Sequence, residues 1–429
     1  MDKHTMQRRR LLAGMVAGGA LGLAGCGTMG SSASKAKVVV VGGGWGGSTV
    51  SKYIRVFSDG EIDVTMVEPN RAFVSCPISN LVIAGMKNMS DITTPYSGLS
   101  GTHGVKVVHD MVTAVDPEKK TVKLAGGSEL RYDKLVVAPG IDFMWERIEG
   151  LKAAHDSGQI LHAWKAGPET EGLRRQIEAM PDGGTVAIAI PEAPYRCPPG
   201  PYERASVIAA YLKKAKPRSK LLILDANPDV TSKGKLFKAA WKDFYGPMLE
   251  YRPQHKVVAV DARNRTLKFE VNEDVKADVL NVLPVMRAGA LVTQMGITNA
   301  NGRWCHVNFL NFESTAAKDV HVLGDSVQSA QGMPKSGHMA NSHAKAAAAA
   351  IVAELKGLPV NPHPMLTNVC MSFVDDTHVI HVASVHEYET TKKSFFTVGG
   401  SGGVSDARSD LEGRYAEAWA KNIWADMLS

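Results

Sequence analysis

Short runs of apolar, β-branched residues alternate with amphipathic stretches along most of the chain, a pattern typical of an α/β fold. Residues 37–41 (KVVVV) and 62–67 (IDVTMV) predict two strands with a helix between them, ending near residue 57. The same strand–helix–strand order returns at 185–190 (TVAIAI), 204–214 and 220–224. The repetition predicts two Rossmann-like three-layer domains.

The pattern changes after residue 361. Short β-like runs at 373–374, 378–382 and 394–398 are followed by an amphipathic segment that contains Tyr415, Trp419 and Trp424. This part predicts a small α+β C-terminal domain. The three aromatic residues could line an interface, but core packing is their commoner use and is our prediction.

A glycine-rich loop follows the first predicted strand. Gly42 permits a tight turn, and Gly44 lets a pyrophosphate approach the N-terminus of the next helix. Glu68, at the end of the second strand, can accept a hydrogen bond from a ribose hydroxyl. Strand, loop, helix and acidic residue together predict a dinucleotide site.

The second Rossmann-like unit has a proline-rich loop where a second glycine loop would be expected. Residues 191–201 (PEAPYRCPPGP) contain Cys197 among prolines. Proline has no backbone N–H, so this loop cannot cradle a second pyrophosphate. We predict that it binds no nicotinamide cofactor and holds Cys197 in one place.

Two later segments are expected to return to the first domain. Residues 132–140 predict a strand and tight turn, and residues 321–325 predict a strand that ends at Asp325, which could accept from a ribityl hydroxyl of FAD. Ser336 is a candidate N-cap for a long helix ending near residue 355. That helix N-terminus, with Lys335, could stabilise negative charge on a reduced flavin.

Charge and the N-terminus limit the other possibilities. The formal net charge is +6, but the first ten residues carry half of it, so a nucleic-acid partner has no electrostatic support. Arg8, Arg9 and Arg10 precede an apolar stretch too short for a membrane span, which predicts a twin-arginine signal, periplasmic localisation and no transmembrane segment. Cys26 follows a lipoprotein-like box, so a lipid anchor there stays an alternative.

These motifs together resemble the flavoprotein subunit of flavocytochrome c sulfide dehydrogenase, a pyridine nucleotide-disulfide reductase-like flavoprotein. The resemblance is most specific at residues 195–204 (YRCPPGPYER), 334–337 (PKSG) and 76–80 (CPISN). It implies covalent FAD on Cys76 and a redox disulfide between Cys197 and Cys370. It also implies sulfide as the substrate and a c-type cytochrome subunit as the electron acceptor.

The resemblance also gives the domain boundaries. We expect a twin-arginine signal at 1–30, the FAD-binding domain at 36–150 and 276–360, a second Rossmann-like domain at 151–275, and a flavin-binding and cytochrome-interface domain at 361–429. The candidate catalytic residues are Cys197, Cys370 and Glu203. The candidate FAD contacts are Gly42, Gly44, Trp45, Gly46, Gly47, Glu68, Cys76, Val112, Ala138, Gly140, Gly324, Asp325, Pro334, Lys335 and Ser336.

Several of these assignments have simpler alternatives. Cys76 could be a buried small hydrophobe, a Cys197–Cys370 bridge could be purely structural, and Cys305, interpreted as a buried free thiol, could compete as a partner. Glu203 could be a proton acceptor, or alternatively a solvated carboxylate or the partner of Arg204 in a salt bridge.

Metal and haem sites are not expected from the spacing of the ligand residues. The chain has no Cys-x-x-Cys-His motif and no zinc-like His/Cys spacing, so no metal is predicted. His338 and His343 are expected at the surface or near the flavin. The alternative functions are a sulfide:quinone oxidoreductase and a noncatalytic electron-transfer flavoprotein.

Overall fold

The computed structural model describes residues 35–429, which form one compact unit. The predicted signal at 1–30, with Cys26, lies outside the described residues. No helix within 35–429 is both long and apolar enough to cross a membrane.

A seven-stranded sheet forms the centre of the first Rossmann-like unit. Its first strand in the sequence, Lys37–Val41, pairs in parallel with Asp63–Val67 on one side and Lys134–Val137 on the other. The full order is Val307–Asn308, Glu313–Ser314, Val320–Val322, Lys134–Val137, Lys37–Val41, Asp63–Val67 and Lys106–Val108. The strands predicted from the apolar runs are thus confirmed, and the fold is α/β.

A second, four-stranded sheet is parallel throughout. Its order is Leu249–Arg252, Lys220–Asp225, Thr185–Ile190 and Val279–Val282. Thr185–Ile190 is buried along nearly its whole length, as its continuous apolar sequence predicted.

Ten α-helices are present in residues 35–429. They are Trp45–Phe57, Ser79–Ile83, Ser97–His103, Leu151–Asp156, Pro168–Ala179, Gly200–Ala215, Gly234–Phe244, Ala290–Gln294, Gly337–Leu355 and Asp410–Leu428. The helix predicted at 204–214 begins four residues earlier, at Gly200. Pro201 is tolerated there because the first turn of a helix does not need the N–H that proline lacks. The proline loop therefore leads directly into a helix.

The C-terminal part is an antiparallel sheet with a helix, as predicted, but its strands are longer. Met365–Phe373 pairs with Val379–Glu389, which also pairs with Ser394–Thr397 and Gly403–Val404. Polar residues such as Asn368 and Ser372 interrupt the apolar pattern of the first strand, so the sequence revealed only its last residue.

Small antiparallel sheets complete the structure and were not predicted, because each strand is too short to show a period. They join Ala72–Val74 with Thr93–Pro95, Ile141–Phe143 with Met286–Ala288, the strands Val112–Asp116, Thr121–Leu124 and Glu129–Arg131, and the strands Val257–Asp261, Thr266–Phe269 and Val275–Lys276.

Three neighbouring parallel strands of the seven-stranded sheet end on the same side. Lys37–Val41 leads into the glycine loop, Lys134–Val137 into residues 138–140, and Val320–Val322 into residues 323–325. Ligands of open α/β sheets bind outside the carboxyl ends of their strands. The functional site is therefore expected at this edge.

Candidate functional site

A large cavity lies at this edge, with about 1430 Å³ of free space, part of it open to solvent. It brings together most of the residues that the sequence singled out. The lining includes Gly44, Trp45, Gly46, Cys76, Ala138, Gly140, Cys197, Glu203, Gly324, Asp325, Ser336 and Cys370. Residues more than 300 positions apart in the chain thus share one site.

Six of the predicted cofactor contacts do not line the cavity, and their contacts with a cofactor stay predictions. Gly42 and Gly47 shape the loop: Gly42 has a φ of 98°, and a Cβ on Gly47 would lie 1.7 Å from the Gly42 carbonyl oxygen. Val112 lies in a small antiparallel sheet. Pro334 faces a second cavity, and Glu68 and Lys335 lie behind the lining, as described below.

Glu68 braces the glycine loop. One of its carboxylate oxygens accepts from the Gly43 N–H at 2.7 Å, and the other accepts from the backbone and side-chain N–H groups of Asn70. In contrast, Gly44 faces open space, because a Cβ added to it would have no neighbouring atom within 4 Å. The helix Trp45–Phe57 starts there, so its positive end faces the free space.

Three buried polar atoms on the cavity wall have no hydrogen-bond partner among residues 35–429. They are Oδ1 of Asp325 and the indole Nε1 atoms of Trp45 and Trp164. Burial raises the pKa of Asp325. Unpaired buried polar groups are costly, so their presence indicates that a ligand with hydroxyl and acceptor groups completes them. The residues present fit a flavin dinucleotide.

The long helix Gly337–Leu355 points its N-terminus at the same cavity. Ser336 is its N-cap, as predicted: the hydroxyl accepts from the Met339 N–H at 3.0 Å and donates to Asn368 Oδ1 at 2.5 Å. Lys335 turns away from the cavity, because its Nζ donates to the carbonyl oxygens of Asp325 and Val327 and lies 3.8 Å from the Trp304 ring centre. Burial lowers the Lys335 pKa to about 8.

Cys197 is held by its backbone. Its φ of 57° is uncommon for a residue other than glycine, and its N–H donates to the Lys335 carbonyl at 2.8 Å. Three residues later the helix Gly200–Ala215 begins. The proline loop thus fixes this sulfur between the long helix and the start of another helix.

Cys370 lies on the strand Met365–Phe373, with its Sγ 3.6 Å from the side-chain nitrogen of Asn368. Cys197 also lines this cavity, and both cysteines are free in the structure, so the Cys197–Cys370 disulfide stays a prediction. Burial raises the pKa of both thiols. A charge on Cys370 raises the Cys197 pKa further, whereas the Lys233 cation partly lowers the Cys370 pKa.

The two remaining described cysteines differ in environment. Cys76 lines the cavity just after the strand Ala72–Val74, and its Sγ accepts from the Ala166 N–H at 3.4 Å. Cys305 is fully buried and free, as predicted, and burial raises its pKa to about 12. Cys305 does not line the cavity that holds the other three.

Glu203 is neither solvated nor paired with Arg204, so that alternative is wrong. Its carboxylate is buried and accepts from Asn80 Nδ2 at 2.8 Å and from the Phe373 N–H at 2.9 Å. Arg204 instead donates to Asn80 Oδ1, Asn281 Oδ1 and the carbonyls of residues 162 and 163. Burial raises the pKa of Glu203, which suits a proton acceptor.

Lys233 is a site residue that the sequence analysis missed. Its Nζ donates to the Cys370 carbonyl at 2.9 Å, to Ser372 Oγ at 2.8 Å and to the Ile380 carbonyl at 3.2 Å. Burial lowers its pKa to about 8. It stands in an ordinary polar turn (TSKG), and nothing in that local sequence distinguishes it from an exposed lysine.

A second cavity, with about 1140 Å³ of free space, adjoins the other side of Cys370. It is lined by prolines of the Cys197 loop, by Thr231 and Asn368, and by the glycine-rich segment 399–403. Cys370 and Pro199 line both cavities, whereas Cys197 lines only the first. Cys370 is thus the one of the two cysteines that borders both cavities.

A histidine cluster that the sequence did not predict lies outside these cavities. Glu169 Oε1 lies 2.8 Å from His155 Nε2 and 3.2 Å from His162 Nε2. The Trp164 N–H donates to His162 Nδ1, and burial lowers the His162 pKa to about 2, so the neutral ring carries its proton on Nε2, toward Glu169. The three side chains form a hydrogen-bonded group and leave no Nε2 lone pair on His162 for a metal.

Two of the three aromatic residues of the C-terminal helix, Trp419 and Trp424, pack against the core, as predicted. Tyr415 does not, since it is 54% exposed. Trp419 also lines the first cavity, stacked on Trp45 with ring centres 6.3 Å apart. His338 also lines the cavity, as expected for a flavin neighbour, whereas His343 is buried.

Three family models match successive parts of the chain. Residues 36–170 match the pyridine nucleotide-disulphide oxidoreductase model, residues 170–284 match the central region of the sulfide dehydrogenase [flavocytochrome c] flavoprotein chain, and residues 362–428 match the flavocytochrome c sulphide dehydrogenase flavin-binding model. These matches indicate an FAD cofactor, in agreement with the unpaired polar atoms of the cavity.

Similar curated proteins include a flavocytochrome c sulfide dehydrogenase chain and sulfide:quinone oxidoreductases. The sulfide dehydrogenase [flavocytochrome c] flavoprotein chain of Chlorobaculum thiosulfatiphilum is 59% identical over 46 residues, which cover 11% of this chain and 94% of that sequence. The mitochondrial sulfide:quinone oxidoreductase of Dictyostelium discoideum is 25% identical over 67% of this chain, and the match spans 65% of its length.

Among solved structures, the sulfide:quinone oxidoreductase of Aquifex aeolicus has the same fold, with a TM-score of 0.73, 19% identity and 91% of each chain covered. The glycine loop, the cysteine-bearing proline loop and the C-terminal sheet each fall in a segment matched by one of the three models. The chain therefore belongs to the family of flavocytochrome c sulfide dehydrogenase flavoprotein chains.

Proposed function

We propose that this protein is an FAD-dependent sulfide dehydrogenase, which oxidises hydrosulfide to sulfur or polysulfide through Cys197 and Cys370. The electrons pass to a c-type cytochrome subunit. The observation that carries the proposal is the meeting of the two thiols on one wall of the flavin-type cavity, with one of them also open to a second cavity.

The active oxidised form is proposed to contain a Cys197–Cys370 disulfide. Hydrosulfide enters from the second cavity and attacks Cys370 Sγ, because Cys370 lines this cavity and Cys197 does not. A new S–S bond forms on Cys370, the disulfide breaks, and the Cys197 sulfur leaves with the electron pair as a thiolate.

A second hydrosulfide removes the outer sulfur of this persulfide as HSS⁻, which releases one proton and leaves two thiolates. FAD, when bound, accepts the two electrons released as the disulfide forms again. The turnover converts two HS⁻ into HSS⁻, one proton and two electrons, so atoms and charge balance.

Glu203 is proposed to take the released proton. Its carboxylate is buried on the cavity wall, and the Asn80 amide and the Phe373 N–H fix its orientation. The raised pKa brings it closer to the pH at which hydrosulfide is available.

Cys76 is proposed to hold FAD covalently. It lines the same cavity as Asp325 and the glycine loop, and its half-buried sulfur can contact a bound ring. Denaturation on a gel tests this: flavin fluorescence stays with the wild-type chain and is released from Cys76→Ser. Complete release of flavin from the wild type would contradict it.

Sulfide titration under anaerobic conditions tests the proposed reaction. We expect sulfide to bleach the oxidised-flavin absorbance of the wild type, and Cys370→Ser to lose this bleaching. Cys305→Ser is the matched control, because it removes a buried thiol outside the cavity and should bleach like the wild type. Unchanged bleaching in Cys370→Ser would leave only a noncatalytic or structural role for the pair.

The electron acceptor is tested separately. The C-terminal helix Asp410–Leu428 carries four acidic and two basic side chains, which does not suit docking to an anionic membrane surface. We therefore expect faster sulfide-dependent reduction of a c-type cytochrome than of a soluble quinone. The opposite order would favour the sulfide:quinone oxidoreductase activity that the Dictyostelium relative is named for.

Export to the periplasm by the twin-arginine signal is also proposed, from the sequence of residues 8–12. The mass of the mature protein tests it, because a chain that retains residues 1–30 after expression in its own cells would contradict processing. A lipid-modified Cys26 would be seen in the same mass.

A further inference from the structure

Lys233 combines several unfavourable features in one residue. Its side chain is 7% exposed, and it forms no ion pair with a carboxylate in residues 35–429, donating instead to two carbonyls and a hydroxyl. An ammonium removed from water without a counter-ion is costly. A lysine retained there is expected to serve a purpose other than stability.

The backbone adds two further costs. Lys233 has a φ of 57° and is the N-cap residue of the helix Gly234–Phe244. The left-handed conformation is sterically unfavourable for a residue that has a Cβ atom. The partial positive charge at a helix N-terminus also repels a cation. The protein therefore positions this charge against three local preferences.

The charge is directed at the strand that carries Cys370. Nζ contacts the Cys370 carbonyl, Ser372 two residues on, and Ile380 on the paired strand. The charged groups that act on Cys370 are the Lys233 cation and the Glu203 carboxylate, while Lys233 itself faces Cys370, Glu203, Cys197 and Glu412. Arg196 is a further cation near Cys197.

We propose that Lys233 is a positioning residue whose positive charge, when its amine is protonated, stabilises the sulfur anion of Cys370. The inference rests on the proposed function for the persulfide stage only. When hydrosulfide opens the disulfide, Cys370 holds the new sulfur; when the second hydrosulfide removes that sulfur, the electron pair of the broken bond stays on Cys370 as a thiolate. Lys233 stabilises that thiolate and makes Cys370 the better leaving group.

The test is the pH dependence of Cys370 alkylation in the flavin-loaded protein after reduction by a phosphine. Iodoacetamide reacts with the thiolate, so its rate at the Cys370 peptide, followed by mass spectrometry, reports the thiol pKa. We expect Lys233→Met to raise the midpoint by about 1 pH unit or more, which is about a tenfold slower reaction below the midpoint. Lys233→Arg, which keeps the charge, should stay near the wild type.

Lys216→Met is the matched control. Lys216 is 8% exposed and likewise donates to backbone carbonyls, those of Glu178 and Met180, but away from Cys370. We expect it to lower the thermal midpoint without moving the Cys370 profile. If Lys233→Met does not fold, Lys233→Gln retains two hydrogen-bond donors without the charge and should show the same rise.

An unchanged Cys370 midpoint in a folded Lys233→Met or Lys233→Gln protein would overturn the proposal. A similar rise in Lys233→Arg would also overturn it, since the effect would then come from packing. Alkylation needs no sulfide, so failure here is distinct from failure of the sulfide titration. A raised midpoint in a protein that sulfide does not bleach would keep the positioning role and reject the proposed activity.

Discussion

Burial determines the chemistry of the individual residues around the two thiols. Glu203, Lys233 and Cys370 each have a pKa displaced in the direction that favours the uncharged form, and each is held by hydrogen bonds to named partners. Such displaced groups clustered on one cavity wall are typical of a reaction centre. The sequence could identify Glu203 and Cys370 only as candidates, because burial is a property of the fold.

Glu203→Gln tests the proton acceptor. Only the ionised carboxylate accepts a proton, so activity requires a pH above the Glu203 pKa. Because that pKa is raised, the acid limb of the pH–rate profile lies at a higher pH than an ordinary carboxyl group would give. We expect Glu203→Gln to slow sulfide-dependent flavin reduction by about 100-fold or more and to lose that limb.

Ionisation of hydrogen sulfide to hydrosulfide adds its own pH dependence to the rate, and this dependence is the same in the wild type and in Glu203→Gln. The ratio of wild-type to Glu203→Gln rates across pH therefore isolates the contribution of Glu203. A ratio that does not change with pH would show that Glu203 only orders its Asn80 and Phe373 partners.

Among the elements, the glycine loop and the helix that follows it lie where the sequence predicted them, but the roles of the individual glycines differ. Gly42, Gly44, Gly46 and Gly47 were all predicted cofactor contacts, and the structure separates them into loop-shaping and cavity-facing positions. Gly47 packs against the Gly42 carbonyl, whereas Gly44 faces free space. The motif gives the location of a site but not the task of each glycine.

Two alanine substitutions make a matched pair. Gly47→Ala should lower the free energy of unfolding by about 1–3 kcal/mol with or without flavin, because the new Cβ meets the Gly42 carbonyl. Gly44→Ala should leave the stability of the flavin-free protein nearly unchanged and weaken flavin retention. Denaturant unfolding and the flavin content of the purified proteins measure both. Normal flavin content in Gly44→Ala would contradict the assignment of the free space to the pyrophosphate.

The elements that the sequence predicted well were those with continuous apolar runs or a clear cap. Thr185–Ile190 and the N-cap Ser336 were both located correctly. The strand Met365–Phe373 was reduced to its last residue because it mixes polar and apolar positions while packed between a helix and another strand. Cys370 lies on that strand, so its surroundings could not be derived from the local pattern.

On the scale of the whole molecule, the site is assembled from distant parts of the chain. The flavin-type cavity is bounded by the first sheet, the proline loop and the C-terminal sheet, and Cys370 and Pro199 border both this cavity and the second one. Family resemblance could name the two cysteines, but only the folded chain shows that they share a wall and that one is reached from the second side. That arrangement gives each sulfur a separate task.

The most direct test of this arrangement is a peptide map of the oxidised, flavin-loaded protein under non-reducing conditions. We predict one linked pair of peptides, containing Cys197 and Cys370, which disappears when enough reductant is added anaerobically to reduce both the flavin and the disulfide. Free, alkylatable Cys197 and Cys370 in the oxidised protein, or a bridge from either of them to Cys305, would contradict the account.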